Sequence, residues 1–157
     1  MDETFDERQT RENDRQYRKW LSCGFEGEIH INEHGWCDNG ISLSNHEQAK
    51  KIVLFNRYPF SSHLEYMQLP NSKWIVGSWL SCPLHGYCHG ISVWSKQYDT
   101  EADAINAELD KIERSLEVKD RKPFVMDAIQ TCRNNYKENL FEMAFAPLAQ
   151  FEQVSLF

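Results

Sequence analysis

The chain has 157 residues, 41% hydrophobic and 13% aromatic side chains and a formal net charge of −7. That length supports one domain with a proper core rather than two. The acidic balance argues against a protein that holds DNA through its phosphates, a contact that needs a basic surface. No run of eighteen apolar residues marks a membrane span, and the charged first twenty residues lack the apolar stretch of a secretory signal. A cytoplasmic chain is expected, in which the five cysteines stay reduced or bind metal.

In chain order, residues 1–22 form a charged arm in which Asp2, Glu3, Asp6, Glu7, Arg8, Arg11, Glu12, Asp14, Arg15, Arg18 and Lys19 alternate in sign. Glu7 with Arg11 and Asp14 with Arg18 stand at i,i+4, which predicts a solvated helix. Phe5, Tyr17, Trp20 and Leu21 sit only at its ends, so its last turn is expected to pack on the domain.

Residues 23–143 read as one α+β domain with an internal repeat over 25–57 and 73–117. His34-Gly35-Trp36-Cys37-Asp38-Asn39-Gly40-Ile41-Ser42 matches His85-Gly86-Tyr87-Cys88-His89-Gly90-Ile91-Ser92 with one residue fewer in the second copy. Each copy follows a strand-like segment: Glu28-Ile29-His30-Ile31 in the first and Trp74 to Leu80 in the second. Each also precedes a helix-like one. Ser44-x-x-Glu47 is a capping box before Ala49, Ile52 and Val53. Thr100-x-x-Asp103 opens a helix with Ile105, Leu109, Ile112 and Leu116 on its buried face and Glu108 on the opposite one.

Between these units, His63 to Leu69 and Lys73 to Leu80 predict two strands joined at Pro70-Asn71-Ser72. Ile91 to Trp94 gives another strand. The sheet is then expected to be an antiparallel meander with helices packed on one face. Pro123 is placed as a first helical residue. Phe124, Ala128, Ile129, Cys132, Tyr136, Leu140 and Phe141 form the stripe of a helix ending near Met143.

Cysteine and histidine are concentrated around Cys82, His85, Cys88 and His89, and His34 with Cys37 adds two more donors. Zinc takes four thiolate or imidazole ligands in a tetrahedron, and this set could supply three without strain. The spacing is not that of a familiar finger, and adjacent residues such as Cys88 and His89 rarely reach one ion. The competing account makes Cys37 and Cys88 small buried hydrophobes at equivalent places in the repeat, which the repeat favours. No glycine-rich phosphate loop, G-x-S-x-G or H-E-x-x-H occurs, so the chain is read as a non-enzyme without cofactor. A zinc-dependent nucleic-acid-binding or processing domain is the alternative.

Residues 144–157 are read as a tail ending in Gln153-Val154-Ser155-Leu156-Phe157. Gln-x-Ser/Asp-Leu-Phe resembles the peptide by which bacterial replication and repair proteins dock on the sliding clamp, the β subunit of DNA polymerase III. The resemblance covers five residues and implies nothing about the fold. It implies that Leu156 and Phe157 fill an apolar pocket, that Gln153 is held by hydrogen bonds, and that Ser155 allows close backbone approach. Val154 departs from the commonest leucine at the tolerant position. DNA would then be reached indirectly, as accessory factor or as inhibitor of host machinery, and the folded body could serve a further protein partner.

Overall fold

The structure, a computed structural model, describes the backbone of residues 2–145 and the side chains of residues 2–136. Four strands, β1 (Lys50–Arg57), β2 (Phe60–Gln68), β3 (Trp74–Ser81) and β4 (Gly86–His89), pair antiparallel in the order β1-β2-β3-β4. Helix α1 (Phe5–Ser22) precedes them; α2 (Glu101–Ser115), a 3-10 turn (Val118–Asp120) and α3 (Pro123–Phe145) follow. This is the expected α+β architecture with a meandering sheet.

Helices α2 and α3 cover one face of the sheet. Period-2 alternation sends Ile52, Leu64, Tyr66, Val76 and Leu80 toward them, to meet Ile105, Leu109, Ile112, Val125, Ile129, Cys132 and Tyr136. Thr100 caps α2 by accepting from the Asp103 amide at 3.0 Å. Pro123 begins α3 as read, but Val125 rather than Ala128 joins Ile129 in the fully buried row. Phe124 instead sits between rings, edge-on to Phe60 at 5.6 Å and to Phe55 at 6.3 Å. Leu140 and Phe141 lie beyond the described side chains, as does the whole of 146–157.

Part of the opposite face is also covered, which the sequence reading did not foresee. Met67, Leu69 and Ile75 pack there against Cys23, Leu43, Ile91 and Val93, with Trp20, Phe25 and Ala49 around them. This layer has little regular structure. Ile91 and Val93, expected in a strand, instead make two backbone bonds to the 40–43 segment, Leu43 N to Ile91 O and Val93 N to Gly40 O.

The two copies of the supposed repeat fold differently. Only the second forms strand, turn and strand, as β3 and β4. In the first, Ile31 and Cys37 make one isolated bridge, and no helix follows. Residues 43–49 turn locally, His46 N to Leu43 O and Ala49 N to His46 O, and Ile52 and Val53 enter β1. The apolar run Ile52-Val53-Leu54-Phe55, rich in β-formers, accounts for this, because pairing with β2 buries Ile52 and Phe55 across a bulge.

Helix α1 carries a capping box, Thr4 with Glu7, at its start. The expected Asp14–Arg18 pair forms at 2.8 Å, whereas Arg11 pairs with Glu3 at 2.5 Å instead of Glu7. No α1 residue is fully buried. Its last turn packs through Trp20 on the second core cluster, as expected, and the rest of its inner face is largely polar: Asn13 donates to Gly35 O at 2.9 Å and accepts from Cys37 N at 2.8 Å. Gln16 donates to Asn39 O at 2.8 Å, and Tyr17 to Gly27 O at 2.6 Å. These side chains supply partners that the irregular 24–40 segment cannot find in a ladder. The join to the sheet is tight: a Cβ on Gly24, whose φ is +96°, would lie 2.6 Å from Asn71 N.

Candidate functional site

The β3–β4 hairpin turns through Cys82-Pro83-Leu84-His85, closed by the Cys82 amide donating to His85 O at 2.8 Å. Gly86 follows because no side chain fits there: its Cβ would stand 2.5 Å from Leu80 O. Behind this turn lies the connection between α2 and α3. Its 3-10 turn, held by Asp120 N to Glu117 O at 2.9 Å, drives the Asp120 side chain inward to 2% exposure.

Donor atoms of Cys82, His85 and Asp120 thereby come within 4.8 Å of one another. His85 Nε2 stands 3.2 Å from the carbonyl oxygen of Ser115, the last residue of α2. A main-chain carbonyl can only accept, so this contact fits a ring that donates from Nε2 and turns Nδ1 toward the cluster. Nδ1 faces Asp120 Oδ2 at 3.5 Å. Both atoms are buried, and among the described residues neither has a hydrogen-bond partner. Burial pushes the Cys82 thiol above its usual pKa, and the Asp120 and Glu117 carboxylates add to the shift.

Of the six sequence candidates for metal, the structure therefore brings together two, Cys82 and His85. Their third companion, Asp120, was not foreseen, since nothing local in Val118-Lys119-Asp120 marks it as a donor. The others do not join. Cys88 pairs in register with Trp79 and His89 with Ser78, so they point to opposite faces of β4. Cys88 is exposed, which corrects its reading as a buried hydrophobe matched to Cys37. Cys37 is buried as expected, with its thiol 3.4 Å from Asn39 Oδ1, and His34 is exposed on the segment under α1.

A second polar feature lies where β3 meets α2. Ser78, fully buried, donates to Glu108 Oε1 at 2.5 Å and lies 3.0 Å from the Tyr87 hydroxyl. Glu108 is 5% exposed, which corrects its placement on the solvent side of α2. It borders a cleft of about 340 Å³ shared with His89, Lys96, Tyr98, Lys111 and Arg114. Burial, with the Glu108 charge adding to it, raises the Tyr98 pKa.

Among the described residues no helix is long and apolar enough to cross a membrane. No family model, curated protein or solved structure matches this chain.

Proposed function

We propose that this chain is a non-enzymatic interaction protein of bacterial, phage or plasmid type that docks on the DNA polymerase sliding clamp through Gln153 to Phe157. The observation that carries this reading is the Gln-x-Ser-Leu-Phe pattern itself. An aliphatic and an aromatic anchor side by side make a compact hot spot, and a glutamine amide adds a donor and an acceptor for orientation. The acidic balance fits a protein that reaches DNA through a ring already threaded on it rather than through phosphate contacts of its own.

In this reading the folded body is what the tail delivers or withholds. As an accessory factor, the chain brings the body to replicating DNA. As an inhibitor, it occupies the pocket and keeps polymerases off the clamp. Adding the protein to clamp-dependent primer extension separates the two, since only the inhibitor shortens the products.

Recovery of the clamp from bacterial lysate, by the intact chain and by a chain lacking 153–157, tests the docking itself. Clamp retained by the first and lost by the second is the expected result. Equal recovery, or none by either, contradicts it. The second reading, a zinc-dependent nucleic-acid domain, draws support in its metal half from the convergence of Cys82, His85 and Asp120. Its nucleic-acid half finds no support in a net charge of −7.

A further inference from the structure

We propose that Cys82, His85 and Asp120 form a three-donor site for a divalent transition-metal ion, with zinc the best match and a fourth position beside the half-exposed His85. The donor set is one thiolate, one imidazole and one carboxylate. Each is an established zinc ligand, and the mixture of sulfur and nitrogen disfavours magnesium and calcium, which prefer oxygen.

The geometry of His85 points the same way. Metal-bound histidines hold their tautomer by donating the other ring N–H to a carbonyl or carboxylate. The Ser115 carbonyl is placed to do this for Nε2 at 3.2 Å, with Nδ1 on the cluster side of the ring. There Nδ1 faces a carboxylate oxygen of Asp120 3.5 Å away. A proton on Nδ1 would make this contact an ion pair, whereas a metal ion between the two atoms would meet both and also engage the Cys82 sulfur beside them. Ligands roughly 2.1 Å from a tetrahedral ion stand about 3.4 Å apart, close to the separation observed.

A cysteine nucleophile served by a histidine–aspartate pair would use the same three residue types, but the arrangement opposes it. In such a relay the carboxylate orients one ring nitrogen and the other accepts the thiol proton. Here Asp120 faces Nδ1 and Ser115 O takes Nε2, which leaves no nitrogen to act as base toward Cys82. The ion would also tie the β3–β4 turn to the α2–α3 connection, so its binding would add to folding stability.

The test uses the full chain, purified and stripped with chelator, then titrated with cobalt(II) and with zinc(II). One equivalent of cobalt should bind with a thiolate-to-metal charge-transfer band, and zinc should displace it and raise the melting temperature. Cys82→Ser should abolish the band. Asp120→Asn and His85→Gln should each weaken zinc binding at least tenfold, while Cys88→Ser/His89→Ala should leave it unchanged.

Absence of binding by folded wild-type protein overturns the proposal, as does a band that survives Cys82→Ser. If the site variants fail to fold, X-ray absorption on the zinc-loaded wild-type protein decides. One sulfur with nitrogen and oxygen neighbours supports the site; no sulfur, or more than one, overturns it. The outcome is independent of the clamp reading, which concerns residues outside this region.

Discussion

The Ser78 hydroxyl donates to the Glu108 carboxylate across the layer between β3 and α2, at 2.5 Å and with both side chains buried. A helix position that periodicity assigns to solvent is therefore tied to the sheet by a charge-assisted hydrogen bond. Ser78→Ala should cost about 1–3 kcal/mol, because it leaves a buried carboxylate short of a donor. Glu108→Ala should cost well over the roughly 0.5 kcal/mol of a surface change. A double-mutant cycle in urea should give a clear coupling between the two, and additive effects would contradict the contact. Leu109, fully buried one residue along, supplies the comparison: Leu109→Ala should cost about 2–5 kcal/mol.

Asn13 is the main tie between α1 and the irregular segment beneath it. Its amide serves two backbone groups at once, the Gly35 carbonyl and the Cys37 N–H. Asn13→Ala should cost about 1–3 kcal/mol, since both groups lose their partner and Cys37 is buried. Asn13→Asp keeps the acceptor alone and should fall between. Urea titration monitored by tryptophan fluorescence reads these differences; an unaltered midpoint for Asn13→Ala would show that α1 is not held in this way.

Much of this architecture was legible in residue patterns, and the failures have physical causes. Helix α2, the β2–β3 hairpin and the start of α3 were read correctly, because cap, turn and proline signals there agree with the apolar period. The first half of the chain was misread where a short likeness, His34 to Ser42 against His85 to Ser92, suggested duplicate folds. Ile52 to Phe55 pair with β2 instead, a long-range choice that overrides the local capping box. Glu108 was missed because its partner, Ser78, stands 30 residues away. Asp120 was missed for the same reason: its neighbours in space lie in the β3–β4 turn. Cys82 and His85 could be singled out by residue type, but only strand alternation separates them from Cys88 and His89.

His63 gives a pH signature. Its ring stacks on Trp79 with centroids 4.5 Å apart, and burial, then Lys51, holds its pKa below the ordinary histidine value. The folded protein thus resists a proton that the unfolded chain accepts near pH ~6.5. The stability from neutral His63 is present above that pH. It falls as pH drops through the unfolded value toward the lower folded one. Lys51→Ala should raise the His63 midpoint in an NMR titration, and His63→Gln should flatten the loss of melting temperature between about pH 7 and 5. A His63 midpoint at or above that of a free histidine would contradict the packing described.

The cysteines should differ sharply in reactivity. Burial pushes the Cys132 thiol to about 12, with Arg133 only partly opposing it, and Cys23 is also raised by burial. Cys88 is the exposed one. Alkylation of native protein followed by mass spectrometry should label Cys88 first and Cys132 only after denaturation. Equal labelling rates would mean that α3 does not seal its side of the core.

Calorimetric titration of the sliding clamp with the intact chain and with Leu156→Ala/Phe157→Ala tests the central claim most directly. Burying the two side chains is worth roughly 1.5–3 kcal/mol each, so the double variant should bind at least about a hundredfold more weakly. Gln153→Ala should lose about 1–2 kcal/mol and Val154→Ala least, with melting temperatures unmoved throughout. Saturable binding by the intact chain that collapses in the double variant is the predicted result; no binding by the intact chain, or equal binding by both, would contradict it.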